Sequence, residues 1–192
     1  MPNCANAKSN IGIELNVGLA SLGDHTDVVE DAYEADSSGL GLGFELGLAV
    51  PIVVGENVVI RPALSYLFTS VSIERQYCSY YGGCRTETES YADSILLPAI
   101  GAEYHINGAH NDGFFIGGEL SMPQPSSGSN IYDFDGDGLG FGIFGGYNSK
   151  SGALFRVGYR SIPVNVTYYG LIEESKNFGG ITFMVAYRFY GN

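Results

Sequence analysis

The sequence predicts an all-β protein: an eight-stranded antiparallel up-and-down transmembrane β-barrel with long extracellular loops and short periplasmic turns. Three observations carry this expectation. Segments in which every second residue is large and apolar recur along the chain. Each is at least the ~9–11 residues that a tilted strand needs to cross a bilayer, longer than the strands of most soluble sandwiches. Long polar connections also alternate strictly with short turns, as hairpins crossing a membrane require.

The last segment, 180–189, shows the pattern plainly. Ile181, Phe183, Val185, Tyr187 and Phe189 alternate with Thr182, Met184, Ala186 and Arg188, so a strand would have one apolar and one mixed face. The first strand, near 10–21, sets Ile11, Ile13, Leu15, Val17 and Leu19 against Gly12, Glu14, Asn16, Gly18 and Ala20. A polar connection over 23–38 follows. The second strand, 39–50, alternates Leu40, Leu42, Phe44, Leu46, Leu48 and Val50 with four glycines, Glu45 and Ala49. The third, 58–73, and fourth, 91–106, present Tyr66, Leu96, Ile100 and Tyr104 on one face and Arg61, Gly101 and Glu103 on the other. Pro62 and Pro98 lie inside them, where a missing N–H costs a ladder bond or marks a bulge. The stretch between them, 74–90, reads as the second long connection. The fifth strand, 114–122, carries Glu119; the sixth, 138–147, alternates aromatics with glycine; the seventh, 153–168, carries Arg156 and Arg160. Connections at 123–137 and 169–179 complete the alternation. Residues 1–9 read as a flexible N-terminal segment, and 10–192 as a single barrel domain.

Charge divides between two places. The inward faces collect Glu14, Glu45, Glu103 and Glu119 against Arg61, Arg156, Arg160 and Arg188. A balanced set survives burial only as an ion-pair network, and the interior of an eight-stranded barrel is narrow enough for side chains to fill. The expectation is a plugged lumen. The four long connections hold fourteen acids against three bases, which is eleven of the twelve net negative charges. An acidic rim of this kind attracts divalent cations or basic partners, and the chain's charge argues against nucleic acid. The opening Met1-Pro2-Asn3-Cys4 has no apolar stretch after it, which suggests a mature form whose signal has been removed.

Chemistry-bearing motifs are few. Asp133, Asp135 and Asp137 have the alternate spacing of a calcium loop followed by glycine, but Phe144 stands where the bidentate glutamate belongs. A weak Ca²⁺ site on an extracellular loop and an ordinary Asp/Gly turn both remain open; no other cofactor is expected. Cys78 and Cys84 bracket a short glycine-containing stretch able to close a disulfide loop, with two free thiols as the alternative; Cys4 is left over. His25 and the Asp93-Ser94 pair fall at the loop end, the place from which a barrel-type lipid A acyltransferase draws His, Asp and Ser. His105 and His110 fall at the turn end, and no zinc pattern or nucleophile elbow occurs.

The whole chain resembles the small outer-membrane barrels of the OmpA/OmpX-like superfamily, the broad "outer membrane protein beta-barrel domain" group. The resemblance is carried by the lumen Glu/Arg set, by Ile95-Leu96-Leu97-Pro98-Ala99, and by Tyr187-Arg188-Phe189. The last is similar to the aromatic-x-Phe signal read by the barrel assembly machinery, although Tyr190-Gly191-Asn192 follow it. The resemblance implies a Gram-negative outer membrane, periplasmic termini, and contact with lipid and lipopolysaccharide. The expected role is that of a monomeric structural or surface-interaction protein without catalysis, meeting an extracellular partner through its acidic loops. Two alternatives stand beside it: a lipid A-modifying enzyme and a soluble lipocalin-like carrier.

Overall fold

The computed structural model describes residues 10–33, 41–79, 82–127, 132–136 and 138–191. Its elements, in order, are β1 (Gly12–Ser21), α1 (His25–Tyr33), β2 (Leu42–Ala49), β3 (Ile52–Val54), β4 (Val58–Ser79), β5 (Gly83–His105), β6 (Gly113–Ser121), β7 (Gln124–Ser126), β8 (Tyr132–Asp135), β9 (Gly140–Asn148), β10 (Ala153–Ser161), β11 (Pro163–Tyr168), β12 (Ile172–Asn177) and β13 (Gly180–Tyr190).

Eight of these strands close on themselves. The wall runs β1–β2–β4–β5–β6–β9–β10–β13, each pair antiparallel, and β13 returns to β1 through Glu14 opposite Arg188 and Val17 opposite Val185. Closure leaves the wall without free edges and satisfies its backbone internally, the condition for a sheet to stand in a bilayer. Residues 1–9 and Leu40, which the sequence assigns to a terminal segment and to the second strand, lie outside the described residues.

The prolines locate interruptions in pairing rather than in the strands. The β4–β5 register continues through both, Pro62 opposite Ile100 and Leu64 opposite Pro98. On its other side β4 pairs with β3 up to Ile60 and with β2 from Ala63. Likewise β5 pairs with β7 up to Leu96 and with β6 from Ala99. Each proline falls in the gap where a neighbouring strand hands over to the next, so no ladder bond is lost.

Three departures from the sequence expectation concern the loop end. The first long connection contains a helix. His25, Val28 and Val29 share one face at helical spacing, and all three are buried; the acids around them, Asp24, Asp27, Glu30 and Asp31, disguise the period. The second connection, 74–90, is mostly strand: β4 and β5 continue together to Ser79 opposite Gly83. Beyond Thr69 and Ser94 they pair only with each other, a two-stranded ribbon reaching roughly 30 Å past the wall at ~3.3 Å per residue. The expected seventh strand is two strands. Pro163 has no N–H to continue the ladder, and Ile162 N donates instead to Asn177 Oδ1 at 2.8 Å. The chain leaves the wall there, and β11 pairs with β12 and β8 in a separate three-stranded sheet.

The polarity of the wall is inverted relative to a soluble protein. Leu46, Ile143 and Phe183 are 47%, 65% and 50% exposed, while Glu14, Glu45 and Arg188 are at most 2% exposed. Outward aromatics gather near both ends, with Tyr104, Tyr147 and Tyr187 toward the turns and Phe44, Tyr66 and Tyr159 toward the loops. This matches the girdles that flank a lipid-facing band. An arginine at Val185, which faces outward midway along β13, should therefore cost about 2–4 kcal/mol in a bilayer. Denaturant unfolding from phospholipid vesicles, followed by circular dichroism because the chain has no tryptophan, measures that loss.

Candidate functional site

Inside the barrel the eight charges meet. Seven strands supply them, and alternation makes each point inward. Arg188 donates from Nε to Glu14 Oε2 at 2.9 Å and from Nη2 to Glu103 Oε2 at 2.9 Å. Arg61 Nε donates to Glu14 Oε1 at 2.8 Å, and Arg156 Nη2 to Glu103 Oε1 at 2.7 Å. Nearer the loops, Arg160 bridges Glu45 (Nη1 to Oε2, 2.9 Å) and Glu119 (Nε to Oε1, 2.7 Å). Arg61 joins the two groups, lying 3.8 Å from Glu119. The network is uneven along the axis. Toward the turns three guanidiniums share two carboxylates; toward the loops one guanidinium serves two.

Glycine makes the room for these long side chains. Phe115 and Phe144 also point inward and wedge against the network, with the Arg156 guanidinium 4.7 Å from the Phe144 ring centre. A Cβ at Gly117 would approach the Phe144 ring to 2.5 Å, and one at Gly146 would approach the Phe115 ring to 2.5 Å. These glycines are therefore spaces occupied by neighbours. His105 Nε2 bonds Glu103 Oε2 at 3.0 Å and stacks on Phe115. The sequence reading overlooked Phe115 and Phe144, although both fall on the same parity as the inward glycines and Glu119.

Above the charges the lumen turns apolar. Leu67, Ile95 and Leu97 from the wall join Val28 and Val29 of α1, Phe134 of β8, Val164 and Val166 of β11, and Phe178 in one buried core. At its centre His25 Nε2 bonds Asp93 Oδ2 at 2.9 Å, and the Tyr132 hydroxyl donates to the same oxygen at 3.0 Å. His25 also packs edge-on against Phe178. The helix and the outer sheet thus form a cap over the barrel, tied to the wall through Asp93. Ser94 lies on the opposite face of β5, partly exposed, so the buried His25–Asp93 pair and the serine do not converge.

Asp133 and Asp135 stand exposed on one face of β8, while Tyr132 and Phe134 are buried on the other. Their alternate spacing is the two-residue period of a strand rather than the wrap of a calcium loop. Asp137 lies outside the described residues, among which no three such groups gather to hold a metal. Cys84 is disulfide-bonded, and the register sets Cys78 directly opposite it at the ribbon tip; Cys4 lies outside the described residues. Tyr187 and Phe189 face outward at the turn end, opposite Leu15 and Ile13.

Three variants test these assignments. Arg160→Met leaves Glu45 and Glu119 buried without their shared cation and should destabilise the barrel by about 3–5 kcal/mol in denaturant unfolding, with Glu45→Gln added to recover part of the loss. Asp93→Ala strands two buried donors at about 1–3 kcal/mol; limited proteolysis should then cut the cap while the barrel stays resistant. Burial pushes the Tyr168 phenol up to about 12. Because its folded pKa lies above the unfolded value, the stability it lends the cap is complete below pH ~10 and fades as pH rises toward 12. Tyr168→Phe should remove that alkaline sensitivity in a pH series of cap proteolysis.

No family model and no curated protein matches the chain. Among solved structures, the solid-state NMR structure of outer membrane protein AlkL in DMPC lipid bilayers aligns over 98% of this chain and 95% of that one, at 14% identity and a TM-score of 0.42. That likeness is slight, and the assignment of an eight-stranded barrel stands on the pairing register itself.

Proposed function

We propose that the protein is an integral outer-membrane barrel of Gram-negative type, sealed along its axis, that serves as a structural and surface-interaction protein. The observation that carries this reading is the combination of an apolar outer wall with a lumen filled by compensated charge and closed by an apolar cap. A soluble carrier would need the reverse partition: an apolar interior to hold its ligand and a polar exterior to meet water. A pore would need a continuous aqueous path, and eight charged side chains that bond one another cross the lumen here.

The cap gives the surface role its shape. Asp27, Asp31, Glu173 and Glu174 stand on or beside it, and Lys176 is drawn toward Glu174 at 3.1 Å and Asp31 at 3.5 Å. The Glu174 carboxylate, accepting a hydrogen bond from the ammonium, raises the Lys176 pKa above its ordinary value. Such a surface is rigidly backed and mostly anionic, suited to divalent cations, to the cation-bridged headgroups of lipopolysaccharide, or to a basic external partner. With short turns and the outer ends of the first and last strands, Gly12 and Tyr190, at the other end, this reading places the termini in the periplasm.

Gel mobility tests the membrane assignment. Refolded protein should give a compact, heat-modifiable band only when detergent micelles are present; a folded species in plain buffer overturns it. In planar bilayers the intact barrel should show no steady conductance, and sustained open-channel currents would overturn the sealed lumen.

A further inference from the structure

The outward face of the wall carries a groove of about 680 Å³ that crosses β4, β5, β6, β9 and β10. Its sides are the exposed Tyr104, Ile116, Ile143 and Tyr159, and its floor holds Ala102 and Gly145. Alternation aims both small residues outward, Ala102 with Tyr104 and Gly145 with Ile143. Gly118, aimed the same way, stands directly opposite Ala102. By contrast, the outward residues of β1, β2 and β13 are Leu, Ile, Val, Phe or Tyr throughout.

Nothing inside the fold demands glycine at 145. Its φ is not positive, and an added Cβ would meet Phe115 O at 3.6 Å, an ordinary contact. Gly146 and Gly158 differ, since Cβ atoms there would come within 2.2 Å and 2.5 Å of backbone oxygens. The pairing register also runs unbroken through Gly145 on both sides, so it marks no bulge. Glycine weakens a strand interior, and the remaining reason for it there is the close approach of something from outside.

We propose that this groove is a binding site for one hydrocarbon chain of a membrane lipid. The inference rests on the membrane reading above, which makes the groove part of a continuous lipid-facing band. Shape selects the occupant. A second barrel is convex and would rest on Ile116 and Ile143, leaving the floor without contacts; a single chain is narrow enough to reach it. Length agrees: four strand spacings of ~4.8 Å make the groove about 19 Å long, and one leaflet fills about 15 Å, half of the ~30 Å hydrocarbon core. Polarity sets the direction. At the turn end the Tyr104 hydroxyl accepts from Asn57 Nδ2 at 3.4 Å, a polar pair suited to the headgroup level. The lipid's head therefore lies at the turn end and its chain runs obliquely up the wall toward Tyr159.

The test uses the full-length barrel refolded in a maltoside detergent and checked for its heat-modifiable band. Dimyristoyl phosphatidylglycerol is titrated in, and native mass spectrometry counts the lipids retained after release from the micelle. One saturable lipid adduct is expected. Gly145→Leu and Ala102→Leu each fill the floor from a different strand, and each should weaken that adduct about tenfold. Val17→Leu, on β1 at the opposite side of the wall, should bind as the unaltered protein does. Retention without saturation overturns the proposal, as does equal binding by the unaltered protein and both groove-filling variants. A barrel dimer that Gly145→Leu abolishes would also overturn it, assigning the groove to a second copy. Failure to fold in detergent at all would instead condemn the membrane reading on which the proposal rests.

Discussion

Everything in this barrel depends on four glutamates and four arginines being buried together. None of the eight could be inside alone, since an uncompensated charge in so narrow a space costs more than any single packing contact returns. Their mutual satisfaction explains the composition of the wall. Long side chains reaching the axis need glycine around them, so glycine lines the inner face where the arginines and the two inward phenylalanines lie. The outer face is free to be uniformly apolar. Charge inside and hydrocarbon outside are two expressions of one arrangement.

The cap resolves a different problem. A barrel filled only with charge would meet water at its loop end, and the network would be open to competition from solvent. The chain instead builds a second core there, in which α1 and the β8–β11–β12 sheet close over Leu67, Ile95 and Leu97. Asp93 ties this lid to the wall by accepting from both His25 and Tyr132. The acidic residues then occupy the outside of the lid, where their number no longer threatens the interior. Solubility of the surface and dryness of the core are kept apart by a single layer of strands.

Much of this was legible in the sequence because a strand's two-residue period is a strong signal wherever both faces are constrained. Leu40 to Val50, or Ile181 to Phe189, cannot be read with any other period, and the parity that sends Leu46 to lipid sends Glu45 to the axis. Connections were harder for the same reason. In 74–90 the alternation is between kinds of polar residue, Ser and Thr against Glu and Arg, so hydrophobic contrast gives no hint of strand. In 23–38 the helical face is only three residues wide, and six acids outweigh it. Around Asp133 the alternate carboxylates suit a cation loop, an ordinary turn and a strand equally until the buried partners Tyr132 and Phe134 are considered. Pro163 marks the point where one apparent strand became two: local propensity ran on, but the hydrogen-bond ladder could not.

The sequence distances within the lumen network bear on how the molecule comes into being. Glu14 is bonded by Arg188, 174 residues later, and Glu45 by Arg160, 115 residues later. The earliest acids of the chain thus wait for cations delivered by its last strands. A chain cut short before β13 lacks Arg188 and cannot close the wall, so its four lumen glutamates are left with three arginines. Completion of synthesis is written into the electrostatics: only a finished polypeptide can pay its own cost of burial, and the final strand acts as a keystone by charge as well as by shape.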